Sequence, residues 1–290
     1  MNLIDCCMYF DEDMLLDIRL NILDKYVKKF IICEAQYNHN GLPKKLNFNI
    51  EKFKKFKDKI IYLPLNEQPK DLILKKKLEL DNSSILDNAL KRENFQRNYL
   101  SNEIQKFSDE DLIIVSDIDE IPNLEKFQYK NKITIFMHKM FYYKLNLIYP
   151  NFLWPGSKIC KKKHLISPQW LRNVKTKIYP HWRIDALFSN KKYYDLDIVF
   201  EGGWHFTNIK TAEQINHKMK NFLHHLEYEK SGLNIIDIKN LIDEKKILYD
   251  YHADQKENKW NSSKKLETIS INKLPNYINV NKDKFAYWLD

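Results

Sequence analysis

Three acids crowd into one short run, Ser116-Asp117-Ile118-Asp119-Glu120-Ile121-Pro122. It follows Asp111-Leu112-Ile113-Ile114-Val115-Ser116, whose branched apolar residues read as a buried strand. Ligands of open α/β sheets bind beyond the carboxyl ends of the strands, so Asp117, Asp119 and Glu120 are expected in such a crevice. On an extended chain, Asp-x-Asp sets two carboxylates on one side. Hard divalent cations take oxygen ligands of this kind and leave positions for substrate phosphates. A cation there can neutralise charge developing on a departing diphosphate. Acid pairs at strand ends also serve in plain turns and helix caps. Here the apolar strand before and Ile121-Pro122 after favour a site.

Other residues could complete it. His205 stands in Gly202-Gly203-Trp204-His205-Phe206. An imidazole suits a transition-type divalent ion. The glycines would let the backbone approach a donor, and Trp204 could wall the cleft. The plainer reading of His205 is packing beside Trp204. Glu12 and Glu34 each follow a strand and could accept hydrogen bonds from uracil or ribose. Arg19 reads as the structural ion-pair partner of one of them. Arg97 could line a nucleotide cleft with Asn98, or pair with Glu93 one turn away. Arg92 and Gln96 lie on adjoining faces of the same helix. Arg172 could grip a diphosphate bidentately. Glu120, Asp185 and Glu201 are the candidates for a general base. His217, His224 and His225 read as surface residues of a helix.

These residues need a scaffold. Leu3–Phe10, Val27–Cys33 and Lys59–Leu65 are strand-like, and the segment around Leu15–Leu23 is helical. That alternation signals a parallel sheet with crossover helices. A helix is expected over Asp87–Phe107, with Leu86, Leu90, Tyr99, Leu100, Ile104 and Phe107 as its apolar face. Lys132–Met137 reads as a further strand. Residues 138–200 are aromatic and give no clear periodicity. Thr211–Glu229 reads as one amphipathic helix opened by a Thr211/Gln214 capping box. Residues 66–84 are polar and lysine-rich. No repeat or linker divides the chain, so one domain over 1–290 is expected, with halves 1–125 and 126–290.

At 290 residues, 43% hydrophobic and 30% charged, the chain can bury a sizeable core and is not disordered. The net charge of +9 comes mostly from scattered lysines, including Lys75-Lys76-Lys77. No nucleic-acid-binding motif accompanies it, so nucleic acid is not an expected partner. Aromatic residues, 13% of the chain, could supply a sugar-stacking surface. The 4 cysteines form no Cys-x-x-Cys pair, which signals neither zinc nor redox chemistry and fits a reducing compartment. There is no signal peptide and no run of ~20 apolar residues. The expectation is a soluble, cytoplasmic protein with at most peripheral membrane contact.

Several blocks, in order along the chain, resemble glycosyltransferase family 17, whose animal members add N-acetylglucosamine to a β-mannose of N-glycans. They are Leu15-Leu16-Asp17-Ile18-Arg19-Leu20, Phe30-Ile31-Ile32-Cys33-Glu34, Gly41-Leu42-Pro43-Lys44-Lys45-Leu46, Arg92–Asn98 (similar to a helix of bacterial members), Ser116–Pro122, Gly203-Trp204-His205 and Phe285-Ala286-Tyr287-Trp288-Leu289. The resemblance implies a GT-A type fold and an inverting transfer, with 1–125 binding the nucleotide-sugar and 126–290 facing the acceptor. It also implies UDP-N-acetylglucosamine as donor, a glycan or glycoconjugate as acceptor, and Mn²⁺, or else Mg²⁺, as the metal. Glu120 matches the family motif, and Asp117, Asp119 and His205 would hold the metal. Two other readings compete: a metal-dependent nucleotidyltransferase, for which no Gly-rich phosphate loop is present, and a non-catalytic carbohydrate-binding protein.

Overall fold

The computed structural model describes residues 1–74, 81–180, 182–251, 259–260 and 263–290, so the Lys75–Lys77 triplet lies outside the described residues. The first half runs β1 (Leu3–Tyr9), α1 (Asp13–Leu23), β2 (Lys29–Ala35), β3 (Ile60–Leu65), α2 (Asn82–Tyr99), α3 (Ser101–Ile104) and β4 (Leu112–Asp117). The four strands pair in parallel in the order β3-β2-β1-β4. Cys6, Ile31 and Ile113 face one buried layer and Cys7, Ile32 and Ile114 the other. Burial on both faces is why these strands read as unbroken apolar runs.

The second half contributes β5 (Glu120–Pro122), β6 (Ile133–Tyr142), β7 (Leu147–Lys161), α4 (Pro168–Asn173), α5 (Ile184–Leu187) and β8 (Leu196–Thr207). It continues with α6 (Ala212–Asn221), α7 (His225–Ser231), α8 (Ile235–Asp243), β9 (Glu267–Thr268) and α9 (Asn276–Val280). β7 joins β4 antiparallel, β6 follows antiparallel, β8 lies parallel to β6, and β5 closes antiparallel to β8. The result is a mixed α/β sheet flanked by helices. The segment 138–200, without periodicity in sequence, holds all of β7 and parts of β6 and β8. Register shifts within β6 at Ile135/Met137 and Lys139/Phe141 break the alternation that would have revealed them.

Two helical expectations change. α2 starts earlier, where the Asp81 side chain caps Ser84 N–H at 2.7 Å. It buries Asn88, Ala89, Gln96 and Arg97, while Leu90 is exposed. The Thr211/Gln214 capping box is present, but the expected long helix breaks at Phe222 and restarts as α7. At the end of the chain Phe285 is buried in the same core as α1, and Leu145 N–H donates to Trp288 O at 2.7 Å. All four cysteines are buried free thiols. No helix among the described residues is long and apolar enough to cross a membrane.

Candidate functional site

β4 stops at Asp117 and the chain turns through Ile118-Asp119 before β5 begins at Glu120. The two aspartates therefore sit at a turn and face different partners, not one side of an extended strand. Arg19, fully buried in α1, holds this turn from beneath. Its Nη1 donates to the carbonyls of Asp117 (3.2 Å) and Glu120 (2.7 Å), and its Nη2 to Ser116 Oγ (2.5 Å). The same guanidinium grips the buried Asp5 carboxylate at 2.5 and 2.7 Å. The expected structural ion pair exists, but its partner is Asp5 of β1, not Glu12 or Glu34.

Asp117 receives Arg97 Nη2 at 3.0 Å and Arg172 Nη2 at 3.1 Å. Burial works against its charge, but Arg172 and then Arg97 outweigh it and hold the carboxyl well below the usual range. Glu120 is fully buried. It accepts from both Arg172 nitrogens (2.6 and 2.9 Å), from Trp154 Nε1 (2.6 Å) and from Asp117 N–H (3.0 Å). Arg172 thus spends its bidentate grip on Glu120, with Gly156 O at 2.8 Å as a further acceptor. Arg97 is held by Gln169, Glu93 and Asp117. Glu120, Arg97 and Arg172 form a layer under the cleft and do not line it.

The cleft itself, about 290 Å³, opens beyond the carboxyl ends of β1 and β4. Asp117, Asp119 and Glu12 all line it. Asp119 Oδ1 stands 3.5 Å from His205 Nε2, and Oδ2 lies 3.8 Å from Lys218 Nζ of α6. Burial opposes ionisation of Asp119; His205 and Lys218 outweigh it and lower its pKa. His205 is buried, its ring lies 5.4 Å from that of Trp154, and its Nδ1 has no partner. The β5–β8 pairing sets Glu120 opposite His205. That approach requires Gly203, whose φ is +134° and whose Cβ would stand 2.2 Å from Ile121 O. Gly203 therefore admits β5 and Gly202 the Met137 backbone of β6, and neither lines the cleft. Trp204 packs into the N-terminal core, and Trp154 walls the cleft instead.

The remaining expected residues divide. Glu12 Oε2 accepts from the N–H groups of Phe10 (3.0 Å) and Asp11 (3.1 Å) and fixes the turn after β1. Glu34 is fully buried and bound by Lys44, the N–H groups of Asn47 and Phe48, and Tyr62 Oη. It anchors the 44–48 loop and does not reach the cleft. Arg92 braces loop 38–41 through His39 O at 3.2 Å, and Gln96 lines the cleft while donating to Cys33 O. Asp185 and Glu201 are outside the cleft, each paired with surface cations. His217 is exposed as expected. His224 lines the cleft and His225 is buried against Phe222 O, so neither is a plain surface residue.

Sequence reasoning missed Lys218, Lys44 and Tyr251 in the lining and two groups below it. His138 is fully buried with both ring nitrogens unpartnered, and burial pushes it well below its usual pKa. Lys158 donates to Arg172 O (2.5 Å) and Val174 O (2.7 Å), and burial, aided by Arg172, pulls it down to about 7. Asp5 did leave a signal, as a lone acid inside an apolar strand.

Among the described residues no group of three or more His, Cys, Asp or Glu gathers as a ready metal cage. Asp119 and His205 supply one carboxylate and one imidazole whose Nε2 faces it at 3.5 Å, whereas both Asp117 oxygens are taken by arginines.

A family model described as Glycosyltransferase family 17 matches residues 1–290, the whole chain. No curated protein matches it.

Proposed function

The chain belongs to glycosyltransferase family 17, and from this premise we propose that it transfers N-acetylglucosamine from UDP-N-acetylglucosamine to a glycan or glycoconjugate acceptor, with inversion, on a GT-A type scaffold. The observation that carries the reading is the meeting of Asp119 and His205, 3.5 Å apart in the cleft at the strand ends. Asp119 and His205 would hold a divalent ion, and an oxygen–nitrogen pair would favour Mn²⁺ over Mg²⁺. When bound, the ion supplies positive charge to the departing diphosphate.

The protein groups divide the rest of the work. Lys218 brings cationic charge to the cleft, whereas the Lys44 ammonium is spent on Glu34. Glu12, whose Oε2 alone is engaged, accepts a hydrogen bond from the donor ribose, and Asp117, kept ionised by its arginines, accepts a further one through a remaining lone pair. Arg97, Arg172 and Glu120 are positioning residues that hold the turn in place. Trp154 and Tyr251, their rings 5.1 Å apart, offer the apolar wall against which a sugar packs.

A panel of UDP-sugars, with and without Mn²⁺, tests this by UDP release and by NMR of the product. The reading requires UDP-N-acetylglucosamine as the preferred donor and a β-linkage. An α-linked product, or pyrophosphate in place of UDP, would overturn it.

A further inference from the structure

Between α4 and β8 the chain forms an arm with a fixed base and an apolar end. At the base Lys175 N–H donates to Lys191 O at 2.8 Å and Tyr179 N–H to Tyr193 O at 3.2 Å, with Ile178 bridged to Tyr193. Trp170 Nε1 ties Asn190 O to α4 at 2.5 Å, and Lys158 ties Val174 O at 2.7 Å. Ile178 at the base is 54% exposed, and beyond these ties Trp182, Ile184 and Phe188 are exposed by 77%, 69% and 87%. Burying such side chains is what stabilises a fold, so this grouping on a firmly tied base does nothing for the core.

Cations surround the same arm. Within 175–194, Lys175, Lys177, Arg183, Lys191 and Lys192 stand against one acid, Asp185. Lys177, Arg183 and Lys192 lie over the Tyr179 ring at 5.7, 6.0 and 5.7 Å. Arg183 and Lys192 share Asp185, while among the described ion pairs Lys175, Lys177 and Lys191 have no acidic partner. A second copy of the chain would bring this collar against itself, which like-charge repulsion opposes. Aromatic and aliphatic side chains ringed by lysine and arginine match a membrane interface: the apolar end enters the acyl boundary, Trp182 sits at headgroup level, and the cations meet anionic phosphates.

We propose that the 175–194 arm docks the protein on an anionic lipid surface. The inference rests on exposure and charge alone and stands apart from the assignment of donor or metal.

The test uses the full chain with phosphatidylcholine vesicles, with and without phosphatidylglycerol, in a sedimentation assay. Binding is expected to the mixed vesicles only and to weaken with salt. Trp182→Ser combined with Phe188→Ser should reduce it by more than about tenfold, with an unchanged circular dichroism spectrum because both side chains are exposed. Trp182→Phe should keep the binding but lose the part of the tryptophan fluorescence that brominated acyl chains quench. No binding to the mixed vesicles overturns the proposal. Equal binding by the double variant, or undiminished quenching in Trp182→Phe, does so as well. So does a concentration-dependent dimer that the double variant abolishes.

Discussion

Asp119 and His205 lie far apart in sequence, yet their side chains stand 3.5 Å apart because β5 pairs with β8 in the register that sets Glu120 opposite His205. The acidic turn and the Gly-Trp-His block are thus two edges of one structural unit, and Gly203 is the residue that lets them touch.

His205→Ala should raise the Mn²⁺ needed for half-maximal activity and narrow the gap between Mn²⁺ and Mg²⁺, since the remaining ligands are oxygens. A metal titration of the folded variant checks this. If His205 only packs beside Trp154, stability falls and metal preference stays.

Lys218 is the nearest cation to Asp119, at 3.8 Å, and is partly exposed. Lys218→Met should raise the donor KM about fivefold, the size of a partly exposed ion pair worth ~1 kcal/mol. It should also tighten Mn²⁺, since a competing charge is gone. Steady-state kinetics and calorimetry with Mn²⁺ alone read the two effects. Unchanged values for both would remove Lys218 from the site.

Arg172→Met leaves Glu120 buried with Trp154 and one backbone N–H but no cation. Such a break costs about 3–5 kcal/mol, measurable by urea denaturation. A loss under about 1 kcal/mol would show that Glu120 tolerates neutralisation and that the clamp is not what holds the turn.

How much of this was legible follows from where each signal resides. β1 to β4 are buried on both faces, so their apolar runs stand out in the sequence. The bulges of β6 and the aromatic, proline-interrupted β7 hide the second half of the sheet. Residue type exposed Asp117, Asp119 and His205, but not direction. Arg172 and Glu34 have the chemistry of ligand-binding groups, yet Arg172 is turned onto Glu120 and Glu34 onto the 44–48 loop. Lys218 gave no sign, because one lysine on a capped amphipathic helix looks like any other.

Lys158 makes stability depend on pH. Its folded pKa of about 7 lies below the ordinary 10.5, so between these values the unfolded chain holds more protons than the folded one. Stability should therefore rise with pH across that window, by roughly 2 kcal/mol between pH 7 and pH 9. Below pH 7 the folded chain carries the buried charge in full. Urea denaturation at the two pH values should show this slope in the wild type and a flatter one in Lys158→Met. Equal slopes would mean that Lys158 stays protonated between its two carbonyls.

The most direct test of the central claim is UDP release from UDP-N-acetylglucosamine in the presence of Mn²⁺, comparing the wild type with a folded Asp119→Ala variant. Asp119 lines the cleft, faces His205 and has no arginine partner among the described ion pairs, so its removal should abolish release while the circular dichroism spectrum stays the same. Wild-type rates in Asp119→Ala would contradict the account.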